Sequence, residues 1–345
     1  MKCFTRRRVQ QDGNTRRSMN TSSAMAGTHR STKGYDATHE CILEASFLHP
    51  MYRYFPLTLQ DLQPNLHMFI GIVTSLENTV EGQIISIVNN KGGVGKTTVA
   101  VNLAHALTRR GQRVLVIDMD TQCNATSILC SKDLGRNTLY EVFVESDVHI
   151  EQCIYPTEYE KLFCLPNTND TSALEPPLLR ALPDSFEIIR QRIRQYAQDS
   201  YDFTFLDCPP NMGFFVVSAL HASDFVIVPV LAGSAFSVEG LSKAIDLIND
   251  IRTNSNPDLK FLRLLINQVD RRTAMTKVSI DQINKHFTAD QIFKTMIPVN
   301  AAFQRAENEA KTIIRYDPTT LGAKAYRALA KELLGIFALD SPEEP

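Results

Sequence analysis

Asn90-Lys91-Gly92-Gly93-Val94-Gly95-Lys96-Thr97-Thr98 lies between an apolar run, Ile84-Ile85-Ser86-Ile87-Val88, and an amphipathic stretch over 99–107. Strand, glycine-rich turn and helix, in that order, are what a phosphate-binding loop requires. Three glycines, Gly92, Gly93 and Gly95, let the backbone curl until successive N–H groups face one anion, with Val94 and Thr98 completing the loop. The positive end of the following helix adds to that field. In such a loop Lys96 reaches the β- and γ-phosphates of a nucleotide, and the Thr97 hydroxyl is a ligand for Mg²⁺. A strict Walker A pattern has glycine at position 90. Asn90 stands there instead, one of the few other residues that tolerates positive φ.

From 83 to 337 short β-branched runs alternate with helical stretches. Candidate strands cover 84–89, 113–118, 162–165, 203–207, 225–230 and 262–267, with a short one near Met296-Ile297. Val114-Leu115-Val116-Ile117 is apolar without alternation, as expected where helices cover both faces of a sheet. A helix over 99–110 ends at Gly111, a good C-cap. The pattern predicts an α/β fold, a doubly wound, mainly parallel sheet with helices on both faces. Ligands in that architecture sit at the carboxyl ends of the strands.

Two acidic strand ends fall there. The second strand runs into Asp118-Met119-Asp120-Thr121-Gln122-Cys123-Asn124, and carboxylates spaced i, i+2 on a strand point the same way. Tyr201-Asp202-Phe203-Thr204-Phe205-Leu206-Asp207-Cys208-Pro209-Pro210 is a hydrophobic strand ending in an aspartate, a Walker B pattern whose carboxylate holds Mg²⁺ through water. Leu264-Leu265-Ile266-Asn267 is a further strand end, where Asn267 is either a contact to a base edge or an ordinary turn residue.

The second lysine narrows the reading. Lys91-Gly92-Gly93-Val94-Gly95-Lys96-Thr97-Thr98 resembles the deviant Walker A motif of the ParA/MinD family of dimerising ATPases. The 118–124 segment resembles that family's DxDPQGN stretch, with Thr121 for proline and Cys123 for glycine, a change that costs backbone freedom. Ile297-Pro298-Val299-Asn300 and Ile313-Ile314-Arg315-Tyr316-Asp317-Pro318 resemble the closing segment of the partition ATPases. The resemblance implies a P-loop fold over 83–337 with ATP and Mg²⁺ as cofactors. It implies roles too: Lys91 reaching the partner's nucleotide across a homodimer, Lys96 on the phosphates, Asp120 positioning the attacking water, and Thr97, Asp118 and Asp207 serving the metal. It further implies non-specific DNA, a ParB-like centromere-binding partner, a cytoplasmic nucleoid-associated location and no membrane. Arg272 matches a DNA-contacting arginine of the family. Val299 and Ala302 stand where the family usually has arginines, leaving Arg305 as a nearby substitute. The alternative is a MinD-like or cargo-positioning ATPase acting without DNA.

Bulk properties agree with a globular enzyme. The chain has 345 residues, 43% hydrophobic and 21% charged, with net charge −2, so overall charge carries no nucleic-acid signal. Seven scattered cysteines, none in a CxxC pair, suit a reducing compartment and no zinc or iron–sulfur site. No run approaches the roughly 18 apolar residues of a membrane span. Charge is uneven: residues 1–34 hold eight Lys/Arg and one acid, Asp12. A disordered basic tail is expected over 1–40, a poorly defined extension over 41–82 and an acidic tail over 338–345. The head reads as a basic arm for DNA, a transit peptide, or a stretch upstream of a true start at Met51 or Met68. The last, or a dispensable tail, is the expectation.

Overall fold

The computed structural model of the chain describes residues 81–130, 137–233 and 237–339, the last from 241 onward for side chains. The tail expected at 1–40, most of the 41–82 extension, and residues 340–345 of the acidic tail expected at 338–345 lie outside the described residues.

Seven strands form one sheet: β1 (Gln83–Ile87), β2 (Val114–Asp118), β3 (Tyr155–Pro156), β4 (Leu162–Leu165), β5 (Phe203–Asp207), β6 (Phe225–Leu231) and β7 (Lys260–Asn267). Their order is β3-β4-β2-β5-β1-β6-β7. All neighbours pair in parallel except β3, which runs antiparallel to β4. Among the helices are α1 (Lys96–Thr108), α2 (Asn124–Leu129), α3 (Leu139–Val144), α4 (Glu175–Arg180), α5 (Ile188–Ser200), α6 (Phe214–Ala222), α7 (Ser237–Asn254), α8 (Ala274–His286), α9 (Ala301–Asn308), α10 (Ile313–Tyr316) and α11 (Leu321–Ile336).

Alternate residues of each strand feed two separate cores. Leu115 and Ile117 of β2 pack with Ile189 and Ile193 of α5, the α6 phenylalanines and Ile248 of α7. Val114 and Val116 face the other way, with α1, α2 and α11. Both faces are therefore dry, which is why the strands read as unbroken apolar runs. The doubly wound expectation holds.

Local differences from the sequence reading have physical causes. α1 begins three residues before position 99, because Gly95 takes φ 89° as its N-cap and hands the chain directly to a helix. The strand expected near Met296-Ile297 is reduced to bridges: Ile297 N–H donates to Ile266 O at 3.0 Å and Ile297 O accepts from Val269. Pro298 then removes the next donor. Asn90 does not take positive φ; the loop's left-handed turns fall at Gly93 and Gly95.

The far half of α1 is fastened to the C-terminal segment. Asn102 Oδ1 accepts from Ile313 N–H at 2.6 Å, and His105 Nδ1 lies 2.6 Å from Thr312 Oγ1. Tyr159 stacks on His105 with ring centres 4.3 Å apart.

Candidate functional site

The loop between β1 and α1 is braced from three sides. Asn89, buried at the end of β1, accepts from Lys91 N–H at 2.9 Å and donates to Pro229 O at 2.7 Å. Lys96 Nζ reaches back 3.5 Å to Lys91 O. From β7, Asn267 Nδ2 donates to Val94 O at 2.7 Å, and Gln268 Nε2 donates to Gly93 O at 3.1 Å. A Cβ at Gly95 would sit 2.4 Å from Asn267 Nδ2, so glycine is required there by space as well as by φ.

A cavity of about 370 Å³ opens over this loop. Gly92, Gly93, Gly95, Lys96, Thr97 and Thr98 line it together with Asp120, Gln122, Asn124, Pro210, Gln268 and Glu307. Asp118 and Asp207 are register partners on β2 and β5 and fully buried. Asp118 is well supported: Oδ2 accepts from Thr126 N–H at 2.8 Å and from Thr126 Oγ1 at 2.7 Å, and Oδ1 from Asp120 N–H at 3.2 Å. Even so, burial pushes its carboxyl up to about 6. Asp207 is held well above the usual carboxylate range, first by burial and then by Asp118. Neither Asp207 oxygen has a hydrogen-bond partner of ordinary geometry, although the Thr97 hydroxyl lies beside it. Burial lowers the Lys96 ammonium, against the pull of Asp207.

A buried carboxylate without well-formed hydrogen bonds, as Asp207 is, calls for positive charge. No group of three or more His, Cys, Asp or Glu side chains among the described residues could hold a metal alone. The donor set instead fits an ion that keeps water and phosphate in its shell, as Mg²⁺ does.

A second cavity, of about 460 Å³, adjoins the first. Asn267 and Gln268 border it on one side and the 297–307 segment on the other. Asn267 is among the residues that line it. Its brace to Val94 and the bond from Gln268 N–H at 2.9 Å still leave one N–H and one acceptor position by count.

Gln268, Glu307, Gln122 and Asn89 escaped the sequence reading. Gln268 carries the signal of adjoining Asn267 and sits at φ 53°; Glu307 carries none, since only the fold brings α9 to the loop. Cys123 takes φ 55°, so the residue expected to cost backbone freedom does occupy a left-handed position. Its thiol is pushed up to about 12 by burial and by Asp118 and Asp120, and stays protonated at neutral pH. Arg272 and Arg305 border neither cavity. Arg272 closes a two-pronged pair with Asp270, both bonds 2.8 Å.

Residues 82–261 match the family profile described as AAA domain. The sporulation initiation inhibitor protein Soj of Bacillus subtilis is 37% identical over 253 residues, 73% of this chain and 98% of that protein. The chromosome partitioning protein ParA of Myxococcus xanthus is 36% identical over 265 residues, 76% of this chain and 91% of its own length. Among solved structures, cobyrinic acid a,c-diamide synthase from Mycobacterium smegmatis with bound ATP analog and magnesium superposes with TM-score 0.63 at 26% identity. That match covers 76% of this chain and all of the other. Such identity, sustained over nearly the whole of each partition relative, places the chain in the ParA/MinD family of P-loop ATPases, beside its chromosome-partitioning members.

Proposed function

We propose that the chain is a partition ATPase that binds Mg·ATP over loop 90–98, closes as a homodimer about the nucleotide, holds DNA without sequence preference in that state, and releases it on hydrolysis. The observation that carries the nucleotide reading is Asp207: a fully buried carboxylate without a hydrogen bond of ordinary geometry, beside Lys96 and Thr97 at the foot of a glycine loop. The loop's N–H groups and Lys96 would hold the phosphates. Thr97, Asp118 and Asp207 would serve the metal, which supplies charge neutralisation at the transferring phosphoryl group. Asp120, 8% exposed on the cavity wall, orients the attacking water. Asn267 and the 297–307 segment receive the base.

Lys91 is the residue proposed to cross to the partner's nucleotide, and a ParB-like protein to accelerate hydrolysis. Residues 83–337 form the ATPase domain in this reading, with the preceding and following stretches as appendages. No helix of the described residues is long and apolar enough to cross a membrane, and nucleoid association follows from the DNA step.

The test is co-sedimentation with random-sequence duplex DNA under ATP, ADP and no nucleotide, for wild type and Lys91→Ala. ATP-dependent, salt-sensitive binding that the variant loses supports the cycle. ATP-dependent dimerisation with no DNA bound in any state overturns the DNA step and points to a cargo-positioning relative.

A further inference from the structure

Positive charge collects far from the nucleotide. Past the C-terminal end of α1 a cleft of about 410 Å³ is lined by four arginines, Arg109, Arg110, Arg315 and Arg327, above His105. They come from three separated segments: the end of α1, α10 and α11. Among the described residues no acidic side chain lines the cleft. Asp317, the acid nearest in sequence to Arg315, turns Oδ1 to Thr319 N–H at 2.9 Å and Thr319 Oγ1 at 2.7 Å. Among the described residues Arg109, Arg315 and Arg327 form no ion pair; Arg327 Nη2 only donates to Pro318 O at 3.0 Å. His105 registers the field: its imidazole is lowered to about 4, by burial first and then by Arg109 and Arg315.

The charge continues along α11. Lys324, Arg327 and Lys331 stand at i, i+3 and i+7 and share one helix face, with both lysines exposed. The single acid of α11, Glu332, is committed elsewhere: Oε1 accepts from Arg263 Nη1 at 3.1 Å and Lys294 N–H at 2.7 Å, and Oε2 from Thr295 N–H at 2.9 Å.

Two bland explanations fall short. Cations after a helix C-terminus suit its dipole, which accounts for Arg109 and Arg110 but not for arginines brought from α10 and α11. Scattered surface cations are usually solvated and interspersed with acids; here Arg109, Arg315 and Arg327, without an ion pair among the described residues, converge from separate segments, an arrangement that an anion complements. The α11 row adds about 10 Å to the cleft, longer than a compact phosphate needs and suited to a repeating polyanion.

We infer that the cleft and the α11 face seat the DNA backbone, with Arg109, Arg315, Lys324, Arg327 and Lys331 taking successive phosphates. This rests on the DNA step proposed above and relocates it from Arg272, already paired with Asp270, and from Arg305, which shares its stretch of chain with Glu307 and Glu309. Contacts of this kind fix position and carry no sequence information.

The experiment is fluorescence anisotropy of a random-sequence duplex against ATP-loaded full chain over a salt series. It compares wild type, Arg315→Gln/Arg327→Gln and Arg272→Gln, with binding of a fluorescent ATP analogue as the check on folding. Losing two phosphate contacts should lower the slope of log affinity against log salt by about 2 per protomer and weaken binding at least about tenfold. Arg272→Gln should leave both close to wild type, and Arg315→Lys/Arg327→Lys should recover most of the loss. Should the double glutamine variant misfold, exposed Lys324→Gln/Lys331→Gln must show the same fall in slope. Wild-type DNA binding that either folded glutamine pair leaves unchanged overturns the seat and leaves the DNA step standing. Wild type that binds no DNA in any nucleotide state overturns both. Binding of pyrophosphate to the cleft of ATP-loaded protein, or pelleting with anionic phospholipid vesicles, in place of DNA also overturns it.

Discussion

Replacing Asp207 with asparagine should make the nucleotide-free protein more stable while removing its response to Mg·ATP. The carboxylate is fully buried, has no hydrogen-bond partner of ordinary geometry on either oxygen and sits in register with Asp118. An unsatisfied buried polar group costs about 1–3 kcal/mol, more when charged. Asparagine keeps the shape and removes the charge but leaves an unpartnered amide, so the gain should be about 1–3 kcal/mol. For a domain of this size that raises Tm by roughly 3–8 °C. The sign follows from the raised carboxyl pKa. A carboxyl raised in the folded state contributes full stability below its unfolded pKa and loses it as pH rises through the folded value. The advantage of asparagine therefore grows from pH 5 to pH 8. Wild type at a hundred times Kd of Mg·ATP should gain about 2.7 kcal/mol; Asp207→Asn should gain nothing measurable. Thermal scans at pH 8, in EDTA and then in Mg·ATP, should show the two proteins exchanging rank. If Asp207→Asn instead melts lower than wild type in EDTA, the carboxylate is well satisfied and the case for a cation site collapses.

Other outcomes follow from single features. His105, lowered from about 6.5 to about 4, stabilises the fold above pH 6.5 and loses that contribution as pH falls toward 4. Urea unfolding at pH 7 and pH 5 should show roughly 2 kcal/mol of His105-dependent loss, absent in His105→Gln. Cys123→Gly removes a left-handed non-glycine residue costing about 1–2 kcal/mol but frees the unfolded chain by about 0.4–1 kcal/mol. A net gain of about 0.5–1 kcal/mol by denaturant titration is expected, and a net loss would mean the thiol's contacts outweigh the strain. Gly95→Ala, with its Cβ 2.4 Å from Asn267 Nδ2, should weaken binding of a fluorescent ATP analogue more than tenfold. Adding Asn267→Ala clears the space but also removes the Val94 brace and the proposed base contact, so the double variant should recover little of the loss.

What could be read in advance was contiguous in the chain. Loop 90–98, the 118–124 acidic segment and the strand ending at Asp207 each carry their chemistry within ten residues. The strands announced themselves because both faces of the sheet are buried. Features made by distant segments were silent. The second cavity needs Gly95, Asn267 and Phe303 together, and nothing local ties them. β3 is two residues long and includes Pro156, below any periodicity. Asn90 shows the limit of motif logic: it stands at a glycine position of the motif, yet the turn is carried by Gly93 and Gly95. The four-arginine cleft lay hidden because overall net charge averages it away.

α1 has its first turn on the phosphate loop and its last beside the arginine cleft, a rod of about 20 Å. Asn102 and His105 fix residues 312–313 to its far half, so that segment travels with it. Were the loop to settle differently on a triphosphate than on a diphosphate, a tilt of roughly 5° at one end becomes nearly 2 Å at the other. That exceeds the slack of a guanidinium–phosphate hydrogen bond. A lever of this length needs no relay of rearranged side chains: the chemical state at one end of a helix would set the spacing of positive charge at the other.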